Sequence, residues 1–342
     1  MSQPEYGYYG GSITDFAQNE LNNKLTSFIN DSRLDDSLVG FIGGPPCPDF
    51  SIAGKNRGRN GENGKLSKTY VDLITQQMPD FFLFENVKGL WKTKVHREFY
   101  EELKIQLETA GYNLSERLIN SIEYGAPQDR ERVILLGFKD YKTKDTNNQS
   151  NFDWLKFAPY PEKTAFSYDW IETSDYIENS FLPCPENIPS KLTVEYWFRK
   201  NDVENHFNAG HWFKPKAGLA RFKSVREGDV KKKSYKRLHR WRYSPTAAYG
   251  NNEVHLHPYK SRRISVAEAL SIQSLPKEFV LPPNMTLSNM FKTVGNGVPY
   301  LAAKNLARSL KYFLEKTIDE NHSIGFSTSH KSTATHTGIQ LY

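Results

Sequence analysis

The chain has 342 residues, 38% of them hydrophobic and 25% charged, with a formal net charge of +6. That length buries a substantial core and suits two domains, and no apolar run approaches the ~18 residues of a membrane span. Two cysteines far apart exclude a disulfide scaffold, no CxxC pair offers a thiolate metal site, and the start MSQPEYGYYGG lacks the order of a secretory signal. A soluble protein of a reducing, bacterial cytoplasm is expected, with no metal and no membrane partner.

In chain order, LVGFI (38–42) predicts a buried strand that ends at once in GGPPCPDFS. Glycines there permit tight backbone geometry, and Pro45, Pro46 and Pro48 stiffen the loop that carries Cys47. Such a loop presents a nucleophile, although it also suits a rigid turn with a passive thiol. A polar, Gly-rich loop (56–65) precedes a predicted helix over 69–78 and a strand over 80–86. Helical spacing covers 99–112 and ends at Gly111, and strands are predicted in NLSERLINSIEYG and RVILLGF (132–138). Strands alternating with helices indicate an α/β domain with a mostly parallel sheet, whose ligands bind at the carboxyl ends of strands, where Cys47 and Glu85 sit.

From 141 that rhythm stops. Residues 211–242 hold 12 Lys or Arg against two acids, a net +10, interleaved with aromatic residues. Phosphate-backbone binding is the natural reading of such a mixture. Helical spacing returns at 265–275 and 298–318, and the last stretch reads as a loosely docked tail.

Four segments now stand in order: GGPPCPDFS, FENVKGL (84–90), QDRERVILLGF (128–138) and NMFKTVGNGVPYLAAKNLA (289–307), with RRISVAEALSIQSLPKEF (262–279) before the last. Together they resemble the DNA cytosine-5 methyltransferase family. Singly each has a bland alternative: Glu85 or Asn86 as a helix cap, Arg130 and Arg132 as a surface charge cluster, Asn296 as an ordinary turn. Cys184, also set between prolines, lacks a preceding strand and a glycine pair and reads as structural. The joint occurrence overturns those alternatives.

The resemblance implies an S-adenosylmethionine-dependent, Rossmann-like catalytic domain over 1–140, a smaller loop-rich target-recognition domain over 141–258, a return to the catalytic domain over 259–322 and a flexible tail over 323–342. It implies methyl transfer from S-adenosylmethionine to carbon-5 of cytosine in a specific double-stranded DNA sequence, as the modification arm of a bacterial restriction–modification system. A catalytically inactive or partner-dependent DNA-binding subunit is the alternative. Cys47 is the implied nucleophile, attacking carbon-6 so that carbon-5 becomes enamine-like. Glu85 is the implied acid at ring nitrogen-3, and Arg130 and Arg132 stabilise the base and orient that acid. Cofactor contacts fall to Ile13, Pro45, Asn296 and Val298, and DNA contacts to Ser51, Gln128, Lys231, Lys232, Lys233, Arg237 and Arg240. The target base must be flipped out of the duplex.

The pattern departs from the family at the start. Only 46 residues precede Cys47, and none forms the Phe-x-Gly-x-Gly loop that holds the cofactor's methionine part. GGSITDF (10–16) is similar to the family's third motif, with Ser12 in place of its acid. The chain is therefore expected to be N-terminally incomplete, with a second polypeptide as one source of the missing motifs. Pro48 and Ala267 also depart from the usual residues, without removing a catalytic role.

Overall fold

The computed structural model describes residues 7–17, 19–34, 37–46, 62–139, 152–215, 219–232, 234–247, 249 and 254–325. After a 3₁₀ turn at Ile13–Ala17, the elements are α1 (Asn19–Leu34), β1 (Gly40–Gly43), α2 (Glu62–Gln77), β2 (Phe81–Val87), α3 (Lys88–Lys92), α4 (Lys94–Thr109) and β3 (Tyr112–Asn120). A 3₁₀ turn (Ser121–Tyr124) leads to β4 (Gln128–Asp129) and β5 (Glu131–Lys139). Then follow α5 (Val194–Lys200), α6 (Leu219–Ser224), β6 (Ser244–Pro245), α7 (Val266–Ile272), α8 (Leu287–Asn296) and α9 (Tyr300–Gly325).

The main sheet has the order β1-β2-β5-β3. Only β1 and β2 pair in parallel, whereas β5 runs antiparallel to both β2 and β3. The expected mostly parallel sheet is thus corrected to a mixed one. The reason lies in the connection: β3 reaches β5 through a short turn, too short for the crossover that parallel neighbours need. Both sheet faces are covered, which is why RVILLGF is apolar without alternation. Val133 and Leu135 of β5 face α2 and α4 through Tyr70, Ile74, Phe99, Tyr100, Leu103 and Leu107. Ile134, Leu136 and Phe138 face the other way, against Ala302, Leu306, Leu310 and Leu314 of α9 and the aromatic pair Phe152 and Trp154.

Helix limits differ from the expected ones mainly at their starts. The second helix begins at Glu62, inside the stretch expected to be a loop, because its Glu and Lys residues are good helix formers. Its fourth-helix counterpart stops where Gly111 takes φ +92°, a conformation glycine adopts without strain.

A further core holds the rest together. Val194, Phe198, Val203, Leu238, Ala247, Tyr249 and Val254 pack with Ile264, Val266, Leu270, Met290, Phe291 and Val294. The expected boundary at 258/259 therefore runs through one apolar cluster. The chain returns to the sheet with α9, about forty residues after that boundary. Phe152 and Trp154, assigned to the recognition part, belong to the sheet's own core. No helix among the described residues is long and apolar enough to cross a membrane.

Candidate active site

Parallel pairing of β1 and β2 places Gly43 opposite Phe84, so Gly44 and Glu85 emerge side by side at the strands' carboxyl ends. The approach is close: a Cβ at Gly44 would lie 2.9 Å from Glu85 Oε2. One residue on, Asn86 is buried, and its Nδ2 donates to Pro45 O at 3.3 Å while its Oδ1 accepts from Val87 N at 2.9 Å. Asn86 therefore pins the proline loop to the neighbouring strand. It is not a helix cap, since the N-cap of α3 is Val87, which makes no side-chain capping bond. Cys47 and Ser51 lie outside the described residues, immediately beyond this pinned start.

Glu85 faces Ile134 across the β2–β5 ladder, and Arg132 stands two residues away on the same face. Diagonal neighbours of that kind are within reach of long side chains. The Arg132 Nε lies 3.0 Å from Glu85 Oε1, and its Nη1 donates to Glu131 O at 2.8 Å. Both side chains of the pair keep a small exposed fraction, so the carboxylate is held by its partner yet open to an incoming base. On β5's preceding residue, Glu131 pairs with Lys88.

Arg130 and Gln128 point elsewhere. Arg130 is buried, and its Nη2 donates to Gly295 O at 3.0 Å. Gln128 is buried as well: its Oε1 accepts from Ala247 N at 3.0 Å and its Nε2 donates to Gln273 Oε1 at 3.2 Å. Gln273 donates in turn to Val294 O at 2.5 Å and Gly297 O at 3.2 Å. The expected DNA contact at Gln128 is corrected to a role inside the protein, joining three of the recognised motifs. Sequence reasoning missed Gln273 altogether, and its only signal was its place in the SIQSL stretch. Gly295 has no room for a side chain, because a Cβ would sit 2.9 Å from Tyr249 N.

A 370 Å³ cleft opens beside β1, lined by Gly11, Ser12, Ile13, Pro45, Leu66 and Tyr70 among others. It unites Ile13 and Pro45, two of the four expected cofactor residues. Asn296, at the end of α8, and Val298 are exposed and are not among the described residues lining it. Its size and its apolar walls with backbone edges fit a small molecule carrying a flat ring.

Two arginines expected on DNA are inside the protein. Arg237 is fully buried. Its Nε donates to Val225 O at 2.9 Å, its Nη1 to Lys260 O at 3.2 Å and to His257 O, and its Nη2 to Phe222 O. Burial pulls its pKa down to about 10. Arg240 is buried against Glu227, with Nε–Oε1 and Nη2–Oε2 both at 2.8 Å. A loop-rich module has few ladder bonds, so its orphan carbonyls recruit these guanidinium donors. Lys231 and Lys232 are exposed, as a DNA contact requires, and Lys233 lies outside the described residues. Cys184 is exposed, its thiol donating to Pro185 O at 3.5 Å.

Comparison with known proteins agrees with this geometry. The profile of the C-5 cytosine-specific DNA methylase family matches residues 14–312. Type II methyltransferase M.NmeDI of Neisseria meningitidis serogroup C is 56% identical over 95% of this chain and 76% of its own length. Type II methyltransferase M.MthTI of Methanothermobacter thermautotrophicus is 30% identical over 88% of this chain and 86% of its own. Among solved structures, a prophage-encoded E. coli protein assigned as a DNA modification methyltransferase superposes with a TM-score of 0.55 over 89% of this chain and 85% of its own. At 21% identity that likeness speaks for the fold alone.

Proposed function

The chain belongs to the C-5 cytosine-specific DNA methylase family, and from that premise we propose which of its residues carry the reaction. The reaction is methyl transfer from S-adenosylmethionine to carbon-5 of cytosine in DNA. The observation that supports the residue assignment is the Glu85–Arg132 pair set against Gly44, three residues before Cys47.

The Cys47 thiolate adds to carbon-6 of the flipped cytosine, and electron density moves to carbon-5. Glu85, carrying a proton, hydrogen-bonds ring nitrogen-3 and favours that addition, while Arg132 fixes its carboxyl in position. When bound, S-adenosylmethionine supplies a methyl group on a positively charged sulfur. Loss of the carbon-5 proton and departure of the Cys47 thiolate then restore the aromatic ring. Arg130 acts from inside: its bond to Gly295 O ties the strand bearing Arg132 to the Gly-Asn-Gly segment. Ile13 and Pro45 form the wall of the cofactor cleft, and Asn296 and Val298 complete it from the end of α8. Lys231 and Lys232 contact phosphates.

Relatives described as Type II methyltransferases support a role as the modification arm of a bacterial restriction–modification system, acting in the cytoplasm. They do not favour the inactive-subunit alternative. A second polypeptide completing the cofactor half is supported by one feature. Among the described residues β1 is an edge strand, with Ile42 71% exposed. A strand laid along that edge would cover it.

The test is transfer of labelled methyl from S-adenosylmethionine to DNA, together with trapping on DNA containing 5-fluorocytosine. The chain, alone or with a polypeptide carrying the glycine loop, should methylate and become covalently trapped. Cys47→Ala should do neither. Binding to DNA without trapping under both conditions would overturn the assignment.

A further inference from the structure

Segment 174–182 is a connection without regular secondary structure, yet it is held at nearly every residue. Ser174 N donates to Glu227 O at 2.9 Å, and Asn179 N donates to Tyr259 O at 2.8 Å. The Tyr176 hydroxyl and Ser261 Oγ are 2.8 Å apart, and the Arg237 guanidinium lies 3.9 Å from the Tyr176 ring centroid. Arg240 Nη1 donates to Ser180 O at 2.6 Å and its Nη2 to Ser180 Oγ at 2.9 Å. Trp241 Nε1 donates to Leu182 O at 2.8 Å. Ser180 N closes a turn onto Ile177 O at 3.2 Å, with Asn179 at φ 56°.

At the tip of this fixed turn two large apolar side chains stand in water: Ile177 is 62% exposed and Phe181 80%. Apolar groups presented on a rigid backbone mark a contact surface. Cations flank them, with Lys223 3.3 Å from Glu178 and Arg226 3.2 Å from Asp175, and both belong to the segment whose net charge is +10. That charge selects a polyanion over an apolar protein face.

We propose that the turn Ile177–Phe181 is a preformed DNA-contacting element and that Arg237 and Arg240 are the positioning residues that hold it. The inference rests on the DNA reading of the preceding subsection. Ile177 and Phe181 pack on base edges or between base steps, and the arginines act through the turn without touching DNA. An arginine is needed because its planar fork spans several acceptors at once, whereas a lysine keeps the charge and loses the fork.

The experiment measures fluorescence anisotropy of labelled duplex DNA with the full chain, and methylated sites in a mixed-sequence DNA pool. Phe181→Ala alters an exposed side chain and leaves the core intact. It should weaken DNA binding tenfold or more, raise KM more than it lowers kcat, and leave the salt dependence of binding unchanged, since no phosphate contact is lost. Arg237→Lys should reproduce the weakened binding and broaden the set of methylated sites. If that variant fails to fold, seen as lost near-UV circular dichroism, Phe181→Ala still decides. Wild-type affinity and site preference in Phe181→Ala would overturn the proposal. So would full function in Arg237→Lys, because charge alone would then suffice. Absence of methyl transfer by the wild type would count against the reaction assignment, and the anisotropy arm would still judge the turn.

Discussion

At the scale of single residues, the site rests on a diagonal pair across two strands. Glu85→Ala should lower single-turnover methyl transfer by roughly 10²–10⁴-fold, the usual worth of a positioned acid. Arg132→Met should lower it in the same direction by less, because the carboxyl remains but loses its anchor. A variant at Glu85 with unchanged single-turnover rate would remove that residue from the chemistry. Interior histidines set a separate expectation. Burial pulls His239 down to about 4 and His255 to about 3. Below pH 6.5 the unfolded chain takes up protons at both while the folded chain does not. Stability should therefore fall as pH drops from 6.5 toward 4, by about 1.4 kcal/mol per pH unit for each imidazole. Urea unfolding at pH 7 and pH 5 measures this, and His255→Asn should flatten the slope. Motif residues Glu85 and Arg132 were legible in the sequence because chemistry dictates their type. Gln128, Arg237 and Arg240 were not, since an arginine's letter is the same whether its fork meets phosphates or buried carbonyls.

At the scale of elements, direction was harder to read than existence. The strands at 40–43, 81–87 and 131–139 announce themselves by apolar runs ending in glycine or polar residues. Their relative direction depends on how the chain travels between them, which no periodicity records. The central position of β5, buried on both faces, makes it sensitive to loss of volume. Leu136→Ala should cost about 2–5 kcal/mol, read as a lower urea midpoint with an unchanged slope. At α7 the decisive feature is a buried charge cluster. Glu268 accepts from Arg262 Nη2 at 2.7 Å and lies 3.3 Å from His257 Nε2. Burial alone would raise its pKa, but His257 and Arg262 outweigh burial and hold the carboxyl below its usual range. His257 Nδ1 accepts from Tyr259 N and Lys260 N at 3.2 Å, which leaves the proton on Nε2, facing Glu268. Glu268→Gln should destabilise by about 3–5 kcal/mol, because it strands a buried cation.

At the scale of the molecule, composition correctly announced a change of character near 141 but misplaced where independence begins. Charge and loop content shift there, whereas the apolar cluster that binds the recognition part runs on through α8. A fragment of residues 152–258 should therefore be unfolded by circular dichroism and poorly dispersed by NMR. A cooperatively folded fragment would show that Ile264, Leu270 and Phe291 are dispensable to it.

The α9 cover over the sheet has a consequence in time. Ile134, Leu136 and Phe138 leave the ribosome about 170 residues ahead of Ala302, Leu306 and Leu310, the side chains that cover them. At ~5–20 residues per second, that face of the sheet stays bare for roughly 10–30 s during synthesis. Each nascent copy thus passes through an adhesive interval, when neighbours on the same messenger can stick to it. Holdase chaperones and slow initiation, rather than final stability, then govern how much protein a cell recovers.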